Sequence, residues 1–164
     1  MTSDELAREV TAAAGRELDS ALARIKHCLD QLDDTQIWQR PTAGQNSIAN
    51  LLLHLAGNLR QWIIVGLGGG EDRRDRPREF ADDCRLPKAE LVARLEAAVR
   101  EAQTVLARQT AAELTRVRHI QEWDVSGLAA IFDAVPHFRG HTQEIVFRTR
   151  LLLGERYRFA WTPQ

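Results

Sequence analysis

His137 and His141 stand four residues apart in a segment of helical periodicity, and His54 stands midway along another. Residues four apart share one face of an α-helix, so both imidazoles of the first segment can reach a single ion. A third imidazole from a facing helix completes a three-nitrogen set and leaves one position for water or a substrate. Catalytic zinc uses open sites of that kind, whereas structural zinc usually has four protein ligands. Nitrogen donors suit several divalent metals: zinc or nickel foremost, with iron as the alternative.

The neighbours of these histidines point the same way. Ser47, Asn50, His54, Asn58 and Gln61 trace a polar stripe along a segment otherwise rich in Leu and Ile, and Asp133, His137, His141, Glu144 and Arg148 trace another. Polar stripes inside a helical protein are costly unless their groups satisfy one another or an ion; the alternative is that both face water. Glu144 and Asp133 are the candidate catalytic groups, able to orient a ligand or relay protons. His27 and His119 have no partner at ligand spacing and read as surface or core residues.

Long helices must position these groups. Leu6, Val10, Ala14, Leu18, Leu22, Ile25, Leu29 and Leu32 recur at steps of three and four. Asp33, Asp34 and Thr35 break that pattern, and residues 40–44 form a connection. A second helix is predicted to start near Asn46 or Ser47, either able to cap it, with Ile48, Leu51, Leu52, Leu55, Leu59, Trp62 and Ile63 inward, and to stop near Gly66. A third follows Pro87, at a first helical position, with Leu91, Leu95, Ala98, Ala102 and Val105 inward to about Gln109. Thr110 and Glu113 have capping-box spacing for a short extra turn. The fourth runs from about Ser126 to Leu153, with Leu128, Ile131, Val135, Phe138, Ile145 and Leu152 inward and Gly154 as its C-terminal cap. Pro136 should kink it beside His137. Strands have little claim; the one alternating stretch worth weighing is Arg156 to Trp161. Four helices, each with one apolar stripe, bury those stripes best against one another, so the fold class is all-α and the architecture a four-helix bundle.

The chain has 164 residues, 44% apolar and 27% charged, which suits a single soluble domain over residues 1–164. A net charge of −1 offers no attraction for nucleic acid or an anionic membrane. Cys28 and Cys84 are too few for a disulfide scaffold, so reduced thiols in a cytoplasmic protein are the expectation. Met1 to Val10 is acidic and polar rather than a signal segment, and no apolar run approaches the roughly 20 residues of a membrane helix. Residues 66–86 form the longest irregular stretch. Gly66 to Gly70 lacks the ending of a phosphate loop, and Arg73, Arg74, Arg76 and Arg78, interleaved with acids, read as a solvated loop. Trp38 and Trp123 read as packing anchors rather than pocket walls.

The run Asn46-Ser47-Ile48-Ala49-Asn50-Leu51-Leu52-Leu53-His54-Leu55, preceded by Trp38-Gln39-Arg40-Pro41, resembles the second helix of the DinB/YfiT-like putative metalloenzymes. The run Val135-Pro136-His137-Phe138-Arg139-Gly140-His141-Thr142-Gln143-Glu144-Ile145 resembles that family's terminal metal-binding helix. The Arg-Asp-Arg-Pro-Arg-Glu-Phe segment at 74–80 marks one subgroup, and the likeness covers nearly the whole chain. It implies a bundle with up-down-down-up wiring, a divalent metal held by His54, His137 and His141, and a homodimer. Characterised relatives use a low-molecular-weight thiol, such as bacillithiol or mycothiol, in transferase or isomerase reactions. Relatives often have Glu where this chain has Pro136, so no acid–base role carries over to that position.

The leading expectation is a metal-dependent enzyme that transfers a low-molecular-weight thiol to a small-molecule substrate, with metal-assisted hydrolysis as runner-up. A non-catalytic bundle whose ion serves binding or stability is the second expectation, favoured if a carboxylate such as Glu144 closes the coordination sphere. The third is a helical interaction module without a metal.

Overall fold

The computed structural model describes residues 1–81 and 85–160; Cys84 and Trp161 lie outside the described residues. Four long helices dominate: α1 (Ser3–Leu29), α3 (Ile48–Leu59), α5 (Lys88–Leu106) and α7 (Gly127–Leu153). Short helices α2 (Asp34–Trp38), α4 (Arg76–Glu79) and α6 (Ala111–Thr115) and a hairpin of β1 (Val117–Ile120) and β2 (Trp123–Ser126) connect them.

Local chemistry sets each start. Thr2 caps α1 in a reciprocal box, its hydroxyl accepting from the Glu5 N–H at 3.2 Å while Glu5 accepts from the Thr2 N–H at 2.6 Å. Asp33 caps α2 with Gln36 in the same way, so the acidic break after Leu32 begins a further short helix. Ser47, not Asn46, caps α3 in a box with Asn50. Pro87 stands one residue before the first residue of α5. Thr110 caps α6, but no reciprocal bond from Glu113 is formed; its carboxylate pairs with Arg116 and Arg118 instead. Gly154 ends α7 at φ +56°, a left-handed conformation that favours glycine.

Each of α1 and α3 packs on both α5 and α7. Their facing stripes supply the core, in which Leu18, Ile25, Leu51, Leu55, Leu95, Ala102, Phe138 and Ile145 are buried. Leu6 and Leu128, expected inward, are exposed, and the adjacent Ala7 and Gly127 hold the buried positions at these helix starts. Pro136 lies within α7, which continues unbroken through it. Among the described residues no helix is long and apolar enough to cross a membrane.

Two features depart from the expected pattern of regular helices. The β1–β2 hairpin pairs Val117 with Ser126 and Ile120 with Trp123 around a turn in which Gln121 has φ +56°. That turn lacks the glycine that usually signals such a bend. In the alternating stretch from Arg156, that residue closes a 3₁₀ turn over Gly154–Arg156 and residues 157–160 form no strand, as expected. The second departure is at the end of α3, which widens into a π-helical turn, Arg60–Val65, instead of running regularly to Gly66.

Candidate metal centre

Helices α3 and α7 bring His54, His137 and His141 together. One ring nitrogen from each lies within 4.8 Å of the others, and the ring centroids are 5.0, 5.2 and 4.6 Å apart. His54 Nε2 and His137 Nε2 are 2.9 Å apart. Tetrahedral ligation with metal–nitrogen bonds of about 2.0–2.1 Å sets nitrogens roughly 3.3 Å from each other, so small adjustments suffice to hold an ion. His54 is buried, while His137 and His141 are half-buried and His137 opens toward a cleft.

The outer nitrogens of two rings are fixed by carboxylates. His54 Nδ1 is 3.0 Å from Glu79 Oε2, and His141 Nδ1 is 2.8 Å from Glu144 Oε2. An Nδ1–H held by a carboxylate leaves the Nε2 lone pair directed at the centre and makes it more basic, the usual support for a metal-ligating histidine. Both carboxylates are themselves engaged. Glu144 Oε1 accepts from Arg148 Nη2 at 2.6 Å, and Arg148 also donates to the Asn46 carbonyl, tying α7 to the start of α3. Glu79 receives Arg74 through two bonds, Nε to Oε1 at 2.6 Å and Nη2 to Oε2 at 2.8 Å. Among the described residues no carboxylate joins the three-histidine group.

The Arg74–Glu79 pair corrects the solvated-loop reading at Arg74, while Arg73, Arg76 and Arg78 are exposed as expected. Arg74 and Glu79 side chains are 4% and 9% exposed, and the pair closes over α3 at His54. Burial pushes the Glu79 carboxyl up, but the hydrogen bonds and charges of Arg74 and His54 outweigh it and hold the group below the usual range. Arg74 Nη1 also donates to Gln61 Oε1 at 2.8 Å, and Gln121 on the hairpin turn donates to the same oxygen. The Asn50 amide donates to the Glu79 carbonyl at 3.0 Å, so the capping residue of α3 also anchors α4. Gly57 makes room for this arrangement: a Cβ there would lie 2.0 Å from Glu79 Oε1 and 2.9 Å from Arg74 Nε. Charges interleaved in a glycine-rich stretch gave no sign of that pairing, and an unremarkable helical glycine gave none of the close approach.

His137 has a different environment. Burial, then the neighbouring His141, His54, Arg74 and Arg76 charges, lower its pKa to about 4, so its ring is neutral at pH 7 with a lone pair available. It lines a cleft of about 440 Å³ with Asn58, Trp62, Trp123, Val125 and Asp133. Asp133, one of the two candidate catalytic groups, therefore stands beside His137 on an exposed turn of α7, while Glu144 orients His141. Trp123 is 63% exposed and walls the cleft instead of anchoring the core. Trp38 does anchor: it is buried, and its indole N–H donates to the Leu86 carbonyl at 3.0 Å. His27 binds the Arg158 carbonyl and His119 pairs with Asp124, both away from the cluster. Cys28 is buried as a free thiol whose pKa burial raises, an inert environment.

No curated protein matches the chain. Its fold is similar to that of a conserved protein from Enterococcus faecalis, with a TM-score of 0.74 at 22% identity over 88% of this chain and 98% of the other. It is also similar to a DinB-like protein from Bacillus cereus, with a TM-score of 0.63 at 16% identity over 83% and 85% of the two chains. Residues 5–164 match the family described as "Protein of unknown function (DUF1572)". The chain belongs to that family.

Proposed function

We propose that this protein is a divalent-metal-dependent enzyme that transfers a low-molecular-weight thiol to a small electrophilic substrate, with His54, His137 and His141 as ligands. The observation that carries the reading is the convergence of three ring nitrogens, two of them backed by carboxylates, with no carboxylate of the described residues in the group. That donor set fits zinc, nickel or iron and leaves a position for an exogenous molecule. A bound divalent ion supplies Lewis acidity, which lowers the pKa of a thiol or water and yields a nucleophile near neutral pH.

The chain's own residues do the rest. Glu79 and Glu144 hold two rings in one tautomer, and Arg74 and Arg148 hold those carboxylates. Asp133 faces the cleft beside His137 and is the group placed to exchange protons with a bound substrate. The reading takes residues 1–164 as one domain, wired up-down-down-up in the DinB-like manner, among reduced cytoplasmic thiols. It extends to a homodimer, for which Phe132, Phe147 and Leu151 offer an apolar face on α7, each at least 60% exposed.

The test is metal content of untagged protein, followed by electrophile consumption with and without added thiol. Near-stoichiometric metal and thiol-dependent turnover support the reading. Turnover independent of thiol moves the reaction to metal-assisted hydrolysis. Metal far below one equivalent after reconstitution removes the enzyme reading altogether.

A further inference from the structure

The cleft beside His137 has a composition of its own. Two indoles, Trp62 and Trp123, and Val125 supply apolar wall; among the described residues Asp133 supplies the one carboxylate and no Lys or Arg lines it. Asn58 is buried, and its carboxamide oxygen has no hydrogen-bond partner among the described residues. Such an orphan is costly in a folded protein unless something later satisfies it. The terminal torsion of Asn is broad, so the amide can turn toward a bound molecule without leaving its rotamer well. Aromatic faces beside a carboxylate attract an organic cation, and they do so more strongly as water is excluded.

We infer that this cleft recognises an organic ammonium ligand, with its apolar body against Trp62 and Trp123, its charge on Asp133, and the Asn58 amide as a positioning group. The inference rests on the proposed enzyme reading for placing this ligand beside the reacting centre, and it adds the substrate's charge class. An anionic substrate of the same shape meets Asp133 and is disfavoured. A neutral one keeps the apolar contacts and loses the electrostatic ones. The π-helical turn after α3 carries Trp62, and the hairpin carries Trp123, so the two elements that depart from a plain helical fold build the cleft's apolar walls.

Three probes of nearly equal size separate these terms: phenethylammonium, 2-phenylethanol and 3-phenylpropionate. Their binding is followed by tryptophan fluorescence and by calorimetry on zinc-loaded wild type, metal-free wild type and the Asp133→Asn, Asn58→Ala and Trp123→Ala variants. The expected order is ammonium over alcohol over carboxylate, with the first step about threefold, the size of one exposed ion pair. Asp133→Asn erases the charge preference, and Trp123→Ala weakens all three probes. Asn58→Ala weakens phenethylammonium binding without lowering the melting temperature, because the orphaned amide is removed; a residue that mattered only for packing would lower it. Equal or tighter binding of the carboxylate, an unchanged preference in Asp133→Asn, or no saturable binding of any probe overturns the inference. Failure to load zinc with the ammonium preference intact overturns the metal reading alone, and zinc loading without that preference overturns this inference alone.

Discussion

Gly57→Ala isolates the part of the site least visible from residue types. In an ordinary helix this change stabilises by about 1 kcal/mol, because Ala loses less backbone entropy than Gly. Here the new methyl would sit 2.0 Å from Glu79 Oε1 and 2.9 Å from both Glu79 Cδ and Arg74 Nε, distances no side chain tolerates. The carboxylate must leave, and His54 Nδ1 loses its acceptor. Breaking a buried ion pair costs about 3–5 kcal/mol, so the net destabilisation of the metal-free protein is about 2–4 kcal/mol after the propensity gain. For a chain of this length that lowers the melting temperature by roughly 5–15 °C. Loss of a carboxylate behind a metal-ligating histidine typically weakens metal binding by about 10–100-fold. Chelator competition with zinc and thermal melts of the metal-free protein measure the two effects. Gly140→Ala is the control: it lies in α7 with nothing within 4 Å of an added Cβ, so it should raise stability and leave zinc affinity unchanged. If Gly57→Ala behaves like Gly140→Ala, the claim that Glu79 closes over α3 to hold His54 is wrong.

Other outcomes follow from the same geometry. Glu144→Gln should weaken zinc binding by about 10–100-fold, as expected for an orienting carboxylate, while His54→Ala, His137→Ala and His141→Ala each abolish stoichiometric loading with the helical content retained; full occupancy after any one histidine change excludes that residue as a ligand. Asn50→Ala removes the hold on the Glu79 carbonyl and should weaken both the α3 cap and zinc affinity, whereas Ser47→Ala should cost about 1 kcal/mol of stability. Equal zinc affinity in Asn50→Ala and wild type would refute that link. The pH dependence has a definite sign. His137 has a folded pKa of about 4 against an unfolded value of about 6.5, so between those values the unfolded chain binds the extra proton. Stability of the metal-free protein is therefore full above about pH 6.5 and declines as pH falls toward 4, and Glu79, whose pKa is held low, adds its own loss at the acid end. Urea melts across that range should show the decline in wild type and a flatter profile in His137→Gln; a flat wild-type profile would contradict the assignment.

The periodicity of Ile48 to Ile63 and of Ile131 to Ile145 was enough to place the three histidines on facing helices. The i,i+4 spacing of His137 and His141 carried the chemistry, because a helical turn converts spacing into direction. What lay beyond reach depended on contacts between segments. Arg74 and Glu79 look like any solvated charge pair until α4 folds back over Gly57, and their burial follows from Asn50 gripping the Glu79 carbonyl 29 residues away. The hairpin at 117–126 was missed since a Gln-Glu turn adopts its positive φ without the usual glycine. Trp123 seemed a packing residue because a large aromatic usually is one. Its position on that unforeseen hairpin turned it toward the cleft instead.

X-ray absorption spectroscopy on the zinc-reconstituted protein tests the central claim most directly. The account predicts a first shell of light atoms at about 2.0–2.1 Å with the multiple-scattering signature of three imidazoles. A spectrum fitted by one imidazole or none, or by sulfur ligands, would contradict it.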